Sequence, residues 1–162
     1  MYNFLKIQQI KEILLPAIGE KVWGASLIDG SHISFELGDA QAAEWDPSTV
    51  HGKWYLFTNM CEWRLEKNGD VLVGSEDHPS RVVPALKQLD EKILLDFDLQ
   101  LPALDTIFVF SDQMILRIFR ISFIINSSHW IFRSSEDGQE LEIGPGASCS
   151  IQNYKDKYYH AR

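Results

Sequence analysis

Residues 104–144, LDTIFVFSDQMILRIFRISFIINSSHWIFRSSEDGQELEIG, constrain the fold more than any other stretch of the chain. β-Branched, aromatic and leucine residues come in short bursts cut by turn-forming clusters, the pattern of strand after strand in an antiparallel meander. The same grammar recurs upstream. Residues 21–28 run into Asp29-Gly30, a dipeptide that accepts positive φ in a two-residue hairpin, and residues 31–37 return with Ile33, Phe35 and Leu37 on one face. Trp54 and Leu56 alternate with Tyr55 and Phe57. Cys61, Trp63 and Leu65 likewise alternate with Glu62, Arg64 and Glu66, so each strand has one buried and one wet face. Asn68-Gly69 makes the next hairpin turn, into a strand over 71–74. Further strands are expected over 93–99, 106–110, 114–125, 129–134, 141–143 and 148–152. Within 114–125, Arg117 and Arg120 fall on opposite faces of a simple pleat, which predicts a bulge or break near Arg120.

Two helices interrupt the strands. Phe4, Ile7, Ile10, Leu14 and Ile18 step by three or four, one stripe of a helix over 3–15, and Pro16 forces a last tight turn that reaches Gly19. Ser75, Asp77 and Pro79 are helix-start residues, and Val83, Leu86 and Leu89 give a short stripe near 80–90 that Pro84 keeps brief. The expected class is therefore α+β, a mostly antiparallel β roll or open barrel with two short helices. A chain of 162 residues forms one core, here placed over 1–152, followed by a polar tail at 153–162.

The halves also echo each other. Leu14-Leu15-Pro16-Ala17-Ile18 answers Val82-Val83-Pro84-Ala85-Leu86, Glu20-Lys21-Val22 answers Glu91-Lys92-Ile93, and Trp63 before Asn68-Gly69 answers Trp130 before Asp137-Gly138. The common order predicts an internal pseudo-twofold duplication, with halves of about 3–76 and 77–150 sharing one interior.

Charge narrows the choice of partner. Net −8 repels phosphate backbones and anionic lipid, so neither nucleic acid nor a membrane surface is expected, whereas a basic protein would be attracted. The apolar run 114–125 is broken by Arg117, Arg120 and Ser122 and is shorter than the roughly 20 residues of a membrane helix. No secretory signal opens the chain, and a cytoplasmic location is the expectation.

No motif carries recognisable chemistry. Cys61 and Cys149 form no CxxC, and the histidines show neither HExxH nor HxH spacing, so no metal and no cofactor are expected. There is no GxSxG elbow, and Gly144-Pro145-Gly146 lacks the Lys-Ser/Thr pair of a phosphate loop. Ser75-Glu76-Asp77-His78 reads as helix capping rather than as a base or metal cluster, because adjacent residues rarely converge. Cys61 shares the buried face of Trp63 and Leu65. The reading is of a non-catalytic protein.

What remains is recognition. The loop over 38–52 contains acids and no Lys or Arg. Glu36, Asp39, Glu44 and Asp46 with Trp45 compose a patch that would steer toward a basic protein and anchor on an aromatic. An alternative is a small-molecule or enzymatic pocket between the halves, with polar tips from His51, Glu62 or Arg64. Exposed sheet edges offer a third reading, a homodimer.

The stretch HGKWYLFTNMCEWRLEKNGDVLVGSED, with the later LRIF, HWIFR and LEIGPGAS, resembles small uncharacterised bacterial β-rich proteins with a comparable order of Trp, WR, Gly and SxD elements. Proteins of that general kind include immunity proteins that neutralise polymorphic toxins. The resemblance implies an inhibitor of a basic protein toxin, and it assigns no residue a chemical role.

Overall fold

The computed structural model describes residues 2–44, 46–120 and 128–155. The chain opens with helix α1 (Tyr2–Leu14) and a 3-10 turn at Leu15–Ala17, where Pro16 ends the α-helical ladder. Strands β1 (Val22–Asp29) and β2 (His32–Leu37) follow as the hairpin that Asp29-Gly30 demands. The loop predicted over 38–52 holds a small ribbon of its own, β3 (Gln41–Ala42) paired with β4 (Val50–His51). Then come β5 (Trp54–Thr58), β6 (Glu62–Lys67) and β7 (Asp70–Gly74). Helix α2 (Pro79–Lys87) separates these from β8 (Leu94–Gln100), β9 (Asp105–Phe110) and β10 (Met114–Phe119). The last strands are β11 (Trp130–Ser134), β12 (Gln139–Ile143) and β13 (Cys149–Asn153). β10 ends just before Arg120, where the pleat was expected to break, and the rest of the predicted 114–125 strand lies outside the described residues.

Two open antiparallel sheets result. Sheet I runs β1-β2-β5-β11-β12-β13, and sheet II runs β7-β6-β10-β9-β8. Each sheet therefore combines a three-strand meander from one part of the chain with strands from the other. The part before α2 gives β1, β2 and β5 to sheet I and then crosses to give β6 and β7 to sheet II. The part after α2 gives β8, β9 and β10 to sheet II and crosses back with β11 and β12. Neither sheet closes on itself.

Alternation along each strand turns one face of each sheet inward. Phe35 on sheet I meets Phe110 on sheet II edge-on, with centroids 6.0 Å apart, and Phe108 on sheet II meets Trp130 on sheet I at 5.6 Å. Such edge-to-face pairs add to the apolar burial of the rings. The helices close the core with Ile10 and Leu14 of α1 and with Val82, Ala85 and Leu86 of α2.

At one corner the sheets are laced together. Lys21 and Ile93 form an antiparallel bridge. Around it, Val22 N donates to Lys92 O at 2.8 Å and Leu94 N to Glu20 O at 2.9 Å. Gly19 N donates to Leu94 O and Glu91 N to Val22 O, both at 2.8 Å. These bonds relate 19 to 91, 20 to 92 and 22 to 94. Gly19 and Glu91 both carry positive φ, +91° and +69°, at these related positions. The Pro-centred match read from the sequence is out of step with this register. Pro16 lies in the turn after α1, whereas Pro84 lies inside α2. Small residues and Pro near a helix end are common enough to align by composition alone.

The two buried tryptophans tie the sandwich across its thickness. Trp63 Nε1 on sheet II donates to Ser31 O in the β1–β2 turn at 2.6 Å, and Trp130 Nε1 on sheet I donates to Thr106 Oγ1 on β9 at 3.1 Å. Both are 1% exposed. Trp63→Phe and Trp130→Phe each take the donor from an acceptor across the sandwich and leave a void, so each is expected to lower stability by about 2 kcal/mol in urea titrations.

Candidate functional site

The outer face of sheet I is where polar side chains converge. The ladder places Trp23 opposite Glu36, Glu36 opposite Tyr55, Tyr55 opposite Arg133, Arg133 opposite Glu140 and Glu140 opposite Gln152. One row of side chains thus crosses all six strands. Its centre floors a cavity of about 200 Å³, open to solvent, at the β5–β11 seam. His51, Gly52 and Lys53 wall it on one side, and Ser135 and Tyr154 on the other.

Each wall has a local cause. Gly52 N donates to Glu36 Oε2 at 2.9 Å, which draws the 38–52 loop down onto the sheet. That approach requires glycine, since a Cβ at 52 would lie 2.5 Å from Leu37 O. His51 is held by a 2.8 Å bond from Nδ1 to Gly52 O. Burial raises the Glu36 carboxyl above its ordinary pKa, partly countered by the Gly52 amide and the His51 charge. Its other carboxylate oxygen accepts no hydrogen bond from the described residues.

On the opposite wall, Arg133 Nε donates to Glu140 Oε2 at 2.5 Å, and Gln152 Nε2 donates to Glu140 Oε1 at 2.6 Å. Glu140 is only 3% exposed, so this pair is a fixed, compensated unit rather than a loose surface contact. The Arg133 guanidinium lies 5.4 Å from the centre of the Tyr154 ring. Burial raises the Tyr154 hydroxyl pKa, with Glu44 among the charges adding to the rise. Tyr55 stacks on Phe57, with centroids 6.3 Å apart, and forms the floor.

The residues singled out from the sequence are dispersed. Glu36 is a strand residue of the cavity rather than part of an acidic loop. Asp39 is exposed and 4.0 Å from Lys53 Nζ, and Glu44 is exposed on the loop. Asp46 is committed to its own turn, accepting from Ser48 N, Ser48 Oγ and Thr49 Oγ1, and these bonds lower its pKa. Trp45 lies outside the described residues. His51 lines the cavity, but Glu62 and Arg64 stand on the outer face of sheet II, so the structure does not bring these three together. Sequence reasoning missed Tyr55, Arg133, Glu140 and Tyr154. Alternation alone turns Tyr55 and Arg133 outward, but nothing local says that β5 and β11 are neighbours.

Two other clusters have structural roles. His78 Nδ1 accepts from Ser80 N at 3.2 Å and Asp77 Oδ2 accepts from Gly74 N at 2.8 Å, so the Ser75–His78 stretch caps α2 and closes the preceding turn. Cys61 is buried beside Trp63, and burial pushes its thiol up to about 12, which leaves no thiolate for chemistry at neutral pH. Its Sγ donates to His129 O at 3.0 Å. Arg120 Nη1 donates to His129 Nε2 at 2.6 Å, and burial together with the Arg120 charge lowers the imidazole to about 4. Among the described residues no three His, Cys, Asp or Glu side chains are grouped to hold a metal, and no helix is long and apolar enough to cross a membrane. Comparisons of the chain with protein-family models, curated proteins and solved structures gave no match.

Gly52→Ala is expected to destabilise the protein by about 1–3 kcal/mol, because the clash is with backbone, and to shift the amide resonances of 38–51. His129 titrates near 6.5 when unfolded and about 4 when folded, so the unfolded state binds more protons between those values. Stability therefore falls as pH drops through 6.5, and the added cost levels off below 4. His129→Gln keeps an acceptor for Arg120 without titrating. The Tm of the wild type should fall relative to that variant between pH 7 and pH 4 and run parallel to it above pH 7.

Proposed function

We propose that this chain is a duplicated, non-catalytic protein-binding module that presents the outer face of sheet I to a basic segment of a partner protein. The observation that carries this reading is where the two parts of the chain differ. Between β2 and β5 lie residues 38–53, whereas only 111–113 link the corresponding strands β9 and β10. After β12 the chain adds β13 and Tyr154, whereas after β7 it turns into α2. Both additions flank the same cavity. The reciprocal bonds about the Lys21–Ile93 bridge and the exchanged strand order support the duplication. On that view the scaffold is symmetric, and the departures from symmetry build the site.

The chemistry of the cavity fits one cationic side chain. Glu36 offers a desolvated carboxylate with an oxygen unused by the described residues, and Tyr55 and Tyr154 supply aromatic walls. Arg133 is neutralised by Glu140, and Lys53 lies 3.7 Å from Glu20. Asp39 and Glu44 on the loop add a field that steers a positive partner toward the opening. An immunity-type inhibitor of a basic toxin is the biological form of this reading, in line with the sequence resemblance.

The test is titration of the isotope-labelled protein with a capped Arg-rich peptide. Tyr55 and Tyr154 resonances should shift, Glu36→Gln should weaken the apparent affinity at least tenfold, and Asp39→Lys with Glu44→Lys should slow association and flatten its salt dependence. Unmoved tyrosine resonances, or an unchanged affinity in Glu36→Gln, would overturn the proposal.

A further inference from the structure

Once a cation enters the cavity on sheet I, the oxygens it meets there decide between the two cationic side chains. Lysine and arginine carry the same charge but donate differently. A guanidinium is a rigid planar fork, and its advantage lies in pairing with both oxygens of one carboxylate or in stacking on an open ring face. An ammonium is a compact charge whose three donors turn to meet separate acceptors.

The cavity withholds both of the contacts that favour a guanidinium. Glu36 Oε2 already accepts from Gly52 N at 2.9 Å, which leaves Oε1 as the one oxygen of that carboxylate without a bond from the described residues. The Arg133 guanidinium lies 5.4 Å from the centre of the Tyr154 ring, and Tyr55 stacks on Phe57 with centroids 6.3 Å apart. Each tyrosine thus has a ring face already taken.

What stays open is a set of single oxygens. Glu36 Oε1 and the hydroxyls of Tyr55 and Tyr154 belong to residues that line the cavity, and none of the three is hydrogen-bonded to a described residue. The two cations of the wall are answered by acids: Lys53 Nζ lies 3.7 Å from Glu20 and 4.0 Å from Asp39, and Arg133 is bonded to Glu140. Around the Tyr154 hydroxyl, Asp137, Glu140 and Glu44 act against Arg133 alone. The charge at the opening therefore admits a cation, and the oxygens inside choose which one.

Resting on the reading of this cavity as a cation site, we propose that it selects lysine over arginine, the ammonium of a partner lysine donating to Glu36 Oε1 and to the Tyr55 and Tyr154 hydroxyls. Asp39 and Glu44 steer either cation to the opening. Only an ammonium then finds as many acceptors as it has donors.

The experiment is a titration of the isotope-labelled full chain with three capped peptides of one length and charge, rich in lysine, in arginine or in trimethyllysine, followed through the Tyr55 and Tyr154 resonances. The lysine peptide is expected to bind about tenfold more tightly than the arginine peptide, the worth of one net hydrogen bond. Trimethyllysine keeps the charge and its attraction to aromatic faces but has no donor, so it should also fall behind lysine. Tyr55→Phe and Tyr154→Phe keep each ring and lose its hydroxyl, and each should narrow the gap between the lysine and arginine peptides by weakening lysine. Should one variant fail to fold, the wild-type ranking of the three peptides still decides. An arginine or trimethyllysine peptide that binds as tightly as the lysine peptide, or an unchanged gap in both phenylalanine variants, would sink the selection and leave the cation site standing. Tyrosine resonances unmoved by all three peptides would sink both.

Discussion

No stretch of this chain can bury its own strands, and the rest of the structure follows from that constraint. β1, β2 and β5 enter one sheet and β6 and β7 the other, so each meander must find its lateral neighbour in strands that lie on the far side of α2. The core between the sheets, with Phe35 on Phe110 and Phe108 on Trp130, exists only when both exchanges have been made. The corner lacing of residues 19–22 with 91–94 fixes how one sheet edge meets the other, and the tryptophan N–H bonds fix the spacing between layers.

Much of this could be read from local pattern. The period of two over Trp54–Thr58 and around Trp63, and the hairpin dipeptides Asp29-Gly30 and Asn68-Gly69, locate strands and turns because the causes are local sterics and one-sided burial. Pairing between distant strands has no such signature. The helical echo around Pro16 and Pro84 aligned residues that occupy different places in their helices, whereas Gly19 and Glu91, which bond crosswise at the laced corner, share a left-handed backbone that their identities conceal. The same limit explains the candidate site. Glu36, Tyr55 and Arg133 become a row only through the β2–β5 and β5–β11 ladders, and Glu62 and Arg64 are carried away to the other sheet. Tyr154 falls in a segment whose polar composition reads as a tail.

The two outer faces treat arginine in opposite ways. On sheet I, Arg133 is matched one to one by a buried glutamate that Gln152 also holds, which fixes the guanidinium over Tyr154. On sheet II, one glutamate, Glu66, serves both Arg64 and Arg117.

The exchange of strands also has a cost in time during synthesis. When Thr58 and Lys67 have left the ribosome, β5 and β6 still lack the neighbours that residues 114–119 and 130–134 will provide, and translation at about 5–20 residues per second leaves those edges bare for several seconds. Over that interval the nascent chain carries unsatisfied backbone donors and acceptors beside Trp54, Trp63 and Leu65. The region most exposed to wrong pairing is therefore the middle of the polypeptide, and chaperone binding or slow codons would matter most there.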